Sequence, residues 1–196
     1  MKVVTATIKG IAPYSSGKVI VESKQSKETH DDFENRIWRQ KMNATPDGIA
    51  CIPPTAWKNG LAEAAKYLSL QIPGKGKATY TKHFEAGVLC VEPMILGVKI
   101  EDLQSERVFV PASGKRGDGK RVWRTFPHIP AGWGGEVQFH VVDETVLQTM
   151  PGDDKMTVFE HVLNQMGNII GVGRFRPRNN GYYGRFVVES IDIQDV

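Results

Sequence analysis

Residues 3–9, VVTATIK, alternate in part between apolar and polar positions and are rich in β-branched types, which predicts a strand. Residues 19–23, VIVES, continue that tendency, and turn chemistry at residues 13–17 separates the two runs. From Thr29 the period changes. Thr29 followed by Asp32 has the form of a helix N-cap with an acidic first turn, and Phe33, Ile37 and Lys41 fall on one face of a charged, partly exposed helix. After turn residues 45–48, a short strand meets two prolines, and Trp57, Leu61, Ala64, Ala65 and Leu68 then recur at helical spacing, with Pro54 and Thr55 suited to the first turn. Residues 73–79 are rich in glycine and lysine and read as a loop, while residues 88–100 read as buried strand broken near Pro93. Residues 106–130 carry Arg107, Lys115, Arg116, Lys120, Arg121 and Arg124 around a glycine-rich centre, the pattern of a long basic hairpin or flexible excursion. Residues 136–142, EVQFHVV, alternate as a strand. Thr157 and Glu160 form a capping box ahead of Val158, Val162, Met166 and Ile169, predicting a second amphipathic helix. Gly171 and Gly173 end it, residues 177–181 turn, and residues 184–193 supply a terminal strand. Strands, helix, strands, helix, strand is the order of an α+β fold with a ferredoxin-like core, helices on one face of an antiparallel sheet.

Composition narrows the chemistry. With 196 residues, 40% hydrophobic and 24% charged, the chain can bury a proper core and resembles neither a disordered nor a fibrous protein. No apolar run approaches the roughly 20 residues of a membrane span, and the N-terminus lacks a secretory pattern, so a cytoplasmic protein without membrane contact is expected. Cys51 and Cys90 sit in strand-like apolar surroundings without paired spacing, which points to buried thiols more than to a disulfide or zinc site. The segment GKRGDGK lacks the spacing of a phosphate-binding P-loop, the five histidines show no metal-binding spacing, and no G-x-S-x-G is present. No cofactor or metal is therefore expected. His30, Asp31 and Asp32 form one acidic cluster, which suits phosphodiester cleavage or, as the simpler reading, a helix N-terminus favouring negative charge.

Net charge is only +3, so any electrostatic reading rests on how charge is distributed. Residues 171–188, GVGRFRPRNNGYYGRFVV, hold four arginines, four aromatics and four glycines and no acidic residue. Guanidinium groups hold phosphates, ring faces stack on bases, and glycine lets backbone amides come close, which together is what a single-stranded nucleic acid requires. Gly171, Gly173, Arg174, Phe175, Arg176, Arg178, Tyr182, Tyr183 and Arg185 are the candidates here. Arg116, Lys120, Arg121 and Arg124, with Trp123 and Phe126 beside them, form a second cationic patch. The plainer alternative makes Phe186 and Val188 core and the arginines a solvated surface.

Two segments together resemble a known family. IPPTAWKNGLAEAAKYL resembles the I-P-G-S-S-L-K-G-x-x-R-x-A signature of the repeat-associated (RAMP) superfamily, the guide-RNA-binding subunits of CRISPR effector complexes in antiviral defence. NQMGNIIGVGRFRPRNNGYYGRFVV resembles that superfamily's C-terminal helix, glycine-rich loop and last strand. Pro54 and Thr55 replace the glycine and serine, Trp57 replaces a leucine, and Glu63 and Ala64 stand where an arginine is expected. The resemblance implies a modified RNA-recognition-motif fold over residues 1–196, with insertions at about 22–47 and 104–130. It also implies a non-enzymatic subunit that runs a single RNA strand along a basic groove and stacks head to tail as a homo-oligomer or larger ribonucleoprotein. Lys58 then takes the place of a phosphate-binding lysine, and Gly171, Gly173 and Arg174 that of a loop hugging the strand's backbone. The resemblance further implies a thumb-like hairpin that is either reduced or supplied by residues 106–124. The same resemblance leaves two alternatives: a phage or mobile-element relative that binds single-stranded DNA or mimics a subunit, and an RNA endonuclease using Asp31 and Asp32.

Overall fold

The computed structural model describes every residue of the chain except 115, 116 and 118. Strand β1, Lys2–Gly10, lies inside a four-stranded antiparallel sheet with β3, Val88–Leu89, β7, Gly134–Val141, and β10, Phe186–Asp195, in the order β10-β1-β7-β3. This is the ferredoxin-like order, because each outer strand is reached by a crossover carrying helices: α2, Pro54–Leu68, and α3, Thr81–Gly87, between β1 and β3, and α4, Val158–Gln165, between β7 and β10. The period-2 alternation of β1 turns Val4, Ala6 and Ile8 inward beside Val137 and Phe139 of β7. Trp57, Leu61, Ala64 and Ala65 of α2 and Phe159, Val162 and Leu163 of α4 cover them from one side. Aromatic edges lock the layers, with Trp57 against Phe186 at 5.2 Å and Phe139 against Phe159 at 5.3 Å between ring centres. The opposite face of the sheet is polar: Thr5, Thr7, Glu136, Gln138, Ser190 and Asp192 line a shallow depression there.

The caps read from sequence form as expected. Thr29 accepts from the Asp32 amide ahead of α1, His30–Ile37, and Thr157 accepts from the Glu160 amide ahead of α4. Gly60 stands mid-helix in α2 because a Cβ there would lie 2.4 Å from the Met166 methyl, so the glycine permits close helix approach. Helix α4 continues into a π turn, Met166–Ile170, closed by the Gly171 amide on the Met166 carbonyl at 2.8 Å.

Several local expectations need correction. Residues 19–23 form no strand: Val19 and Val21 are 83% and 95% exposed, and the run has no ladder partner, without which β-branched propensity does not make a strand. Residues 22–28 are instead fastened to α1 by Arg36, which pairs with Glu22 and Glu28 and donates to the Ser23 carbonyl. Residues 88–100 divide between β3 in the main sheet and β4, Met94–Lys99, which pairs with β2, Ile49–Ile52, in a separate ladder. Helix α3 and the small ladder of β8, Thr149–Met150, with β9, Asp153–Thr157, were not legible in the residue pattern. Of the two readings of the basic segment, the hairpin holds: β5, Gln104–Pro111, pairs with β6, Arg121–His128.

Candidate nucleic-acid interface

The glycine-rich loop after the π turn is held by backbone bonds rather than left slack. The Arg174 amide donates to the Ser15 carbonyl at 2.7 Å, the Gly184 amide to the Pro13 carbonyl at 2.7 Å, and the Tyr183 amide to the Phe175 carbonyl at 3.0 Å. Gly171 and Gly173 both have left-handed backbones, φ 70° and 77°. A Cβ on Gly173 would come within 2.4 Å of the Ser15 carbonyl oxygen, so only glycine lets the loop lie on the 13–17 turn.

The hairpin meets this loop at its root. A buried ion pair reads both backbone groups of one β6 residue: Glu34 accepts from the Thr125 amide at 2.8 Å, and Lys41 donates to the Thr125 carbonyl at 2.8 Å and to Glu34 at 2.6 Å. Burial holds the Lys41 ammonium below the usual lysine range, and Glu34 opposes that shift. Next to Thr125, the Phe126 ring is covered by the Arg174 guanidinium at 4.2 Å and approached by the Lys41 ammonium at 4.8 Å. Burial, with Arg124 nearby, pulls the Arg174 pKa below its ordinary value. Arg124 donates through Nη2 to the Ala112 carbonyl at 2.8 Å, while its buried Nε has no partner among the described residues. Thus two cations crowd one aromatic ring, with the Arg124 charge beside them and a single buried carboxylate nearby, a local excess of positive charge that attracts an anion.

Three cavities adjoin at this point. One of about 540 Å³ lies between the hairpin and the glycine loop, and one of about 310 Å³ lies between the hairpin root and residues 17–24; both are walled by Arg124, Phe126 and Arg174. A third, of about 380 Å³, lies between the start of α2 and the loop, sharing Gly17 and Lys18 with the second and Asn179 with the first. Together they make a groove that runs from α2 past the loop to the hairpin.

Of the residues singled out by sequence, Gly173, Arg174, Phe175, Arg176, Arg178 and Arg124 line this groove. Arg176 and Arg178 both pair with Glu63 of α2, at 3.1 and 2.7 Å, which anchors the loop to the helix. Glu63 is thereby matched by two arginines from the opposite wall. Gly171 sits behind the groove, where its carbonyl accepts from Arg176 at 3.5 Å.

The remaining candidates lie elsewhere. Lys58 turns its ammonium to the carbonyls of Phe84 and Glu85 at the end of α3, at 2.8 and 2.6 Å, and burial lowers its pKa. Tyr183 is buried, its hydroxyl donating to Glu106 at 2.5 Å, whereas Tyr182 is exposed and packs edge-on against it. Buried Nε of Arg185 has no partner among the described residues. Arg121 lies over Phe109 at 6.0 Å toward the outer end of the hairpin, and the Lys120 carbonyl accepts from the Ala112 amide across its mouth. Arg116 lies outside the described residues. Asp31 pairs with Arg107 at 2.7 Å, and Asp32 accepts from the Thr29 hydroxyl as part of the α1 cap. Sequence reasoning missed Lys18, Lys41, Asn43, Asn59 and Asn179, which are brought in from separate segments. Only Thr55 and Asn59, four apart on α2, left a sequence signal, a polar pair on a helix that is otherwise apolar on its inner face.

No protein-family model and no curated protein matches the chain. Among solved structures it resembles a chain in the cryo-EM structure of the Type III-B Cmr-beta bound to cognate target RNA, with a TM-score of 0.57 at 13% identity. The match covers 98% of this chain and 60% of that one, so the similarity is one of fold over most of the present chain and a little over half of its neighbour.

Proposed function

We propose that the groove between α2, the glycine loop and the hairpin root binds a single strand of RNA, and that the chain is a RAMP-type subunit stacking head to tail along that strand. The observation that carries this is the shared wall of Arg124, Phe126 and Arg174, where two guanidinium side chains, one of them stacked on the Phe126 ring, line a recess instead of a convex surface. Fold similarity to a chain from an RNA-bound Type III-B complex supports the same reading, as does the pair of segments resembling the RAMP signature. On this reading residues 1–196 are one domain with insertions at about 22–47 and 104–130.

On this reading binding proceeds without cleavage, and Asp31 and Asp32 serve the surface of α1, Asp31 pairing with Arg107 and Asp32 accepting from the Thr29 hydroxyl of the cap. Anisotropy of a labelled single strand tests the binding reading. Affinity should fall steeply from low to moderate salt, and Arg174→Ala should weaken all sequences alike by about tenfold, as expected for a lost phosphate and stacking contact. A flat salt response, or unchanged binding in a folded Arg174→Ala variant, overturns it. Regularly spaced cuts in magnesium that vanish on Asp31→Asn and Asp32→Asn would instead establish an endonuclease.

A further inference from the structure

We infer that the recess at the start of α2 holds one nucleoside of the bound strand and reads its ribose 2′-hydroxyl, so that the groove selects RNA over DNA. This rests on the proposed function and adds to it the choice of sugar, which phosphate contacts cannot make.

The recess differs in chemistry from the rest of the groove. Its volume, about 380 Å³, is within the range of small-ligand sites, and its polar walls are mostly uncharged: Ser16, Asn43, Thr55, Asn59 and Asn179. The one guanidinium facing it, Arg176, is already paired with Glu63, and Lys18 is exposed where the recess opens to the next cavity. An anion also finds little at the helix end. Pro53 and Pro54 have no amide hydrogen, and the Ala56 amide is used by the Pro53 carbonyl at 3.0 Å, so the usual anion-binding amides at a helix start are depleted. The departure from glycine at Pro54 thus removes an amide donor, while Thr55 keeps the hydroxyl of the signature's serine.

What remains suits a neutral group that both donates and accepts. Asn43 is fixed on both sides: its backbone carbonyl accepts from the Cys51 amide at 2.9 Å, and its Nδ2 donates to Ser16 Oγ at 2.8 Å, which leaves Oδ1 as an acceptor. Thr55 and Asn59, exposed on one face of α2, bring a hydroxyl and an amide that donate. A 2′-hydroxyl is both donor and acceptor, and this acceptor and these donors can engage it from two sides. Tyr14 and Ala56 supply the apolar floor against which sugar and base edges rest.

The test compares oligouridine with oligodeoxyuridine of equal length, which differ only at the 2′ position, by anisotropy at one salt concentration. The ribose strand should bind about tenfold more tightly, the effect of roughly one well-made hydrogen bond in a partly dry site. Asn59→Ala and Thr55→Val alter exposed positions and retain the fold; each should shrink the ratio, and Asn43→Ala with Asn59→Ala should bring it to about one. Arg174→Ala should weaken both strands and leave the ratio unchanged. Equal affinity of the wild-type protein for both strands, or a ratio unaltered by the double substitution, overturns the ribose reading while the groove stands. Failure of both strands to bind overturns the groove itself.

Discussion

Gly173 shows how one side chain, or its absence, sets the site. Its φ of 77° and its nearness to the Ser15 carbonyl both exclude a Cβ, so Gly173→Ala should cost at least about 2 kcal/mol of stability in urea unfolding, the combined cost of left-handed strain and a backbone clash. Charge acts as locally. Glu28, hydrogen-bonded first by Arg36 and then by the Gln25 amide, has its pKa lowered from 4.5 to about 2. Because the folded value lies below the unfolded one, the contact contributes fully above pH 4.5 and is lost as pH falls toward 2. An NMR pH titration should therefore show the amides of residues 22–28 holding native shifts at neutral pH and moving together in that acid window. Movement already complete by pH 5 would show that Arg36 does not hold this segment.

The hairpin of β5 and β6 is the element whose placement matters most. It shares no ladder with the main sheet, and its root is fixed where Glu34 and Lys41 grip the backbone of Thr125. Removing one member of a buried pair strands the other, so Lys41→Met should cost about 3 kcal/mol and raise amide exchange in β6 before it does so in β1 or β7. Uniform loss of protection across the molecule would mean that the pair supports the whole core instead of the hairpin. Helix α2 supports the groove differently. It buries Trp57, Leu61, Ala64 and Ala65 in the core while Glu63 holds Arg176 and Arg178 and Asn59 faces the recess, so one helix sets both fold and groove wall.

Across the whole molecule, the groove and the open sheet face have opposite character. Sheets of this topology can bind RNA through exposed aromatics, yet the depression on this one is lined by Val3, Thr5, Thr7, Glu136, Gln138, Ser190, Asp192 and Gln194, with two carboxylates and no ring. On the proposed function, phosphates are repelled there and attracted at Arg124 and Arg174. Replacing Glu136 and Asp192 by their amides should consequently leave strand affinity within about twofold, since these charges sit across the sheet from the groove and are screened by solvent. A tenfold gain or loss would place the strand on the sheet face. The same opposition explains how a chain of net charge +3 can present a cationic groove.

Much of this was written locally. The amphipathic spacing of α2, the capping threonines at 29 and 157, the alternation of β1 and β7 and the arginine, aromatic and glycine loop each depend on residues a few positions apart, where backbone geometry makes sequence spacing and spatial neighbourhood the same thing. Those features sufficed for the α+β order and for half of the groove. The other half brings Lys41, Asn43 and Asn59 to the cavities beside Arg124 and Arg174 from stretches distant in sequence, and it exists only once the crossovers have stacked the helices on one sheet face. Whether an arginine meets a phosphate or a glutamate likewise depends on what the opposite wall carries. Lys58, Tyr183 and Arg178 had the chemistry of ligand-binding residues in the chain and found protein partners in the fold, because a side chain's neighbours are chosen by packing over long sequence distances and no local pattern records them.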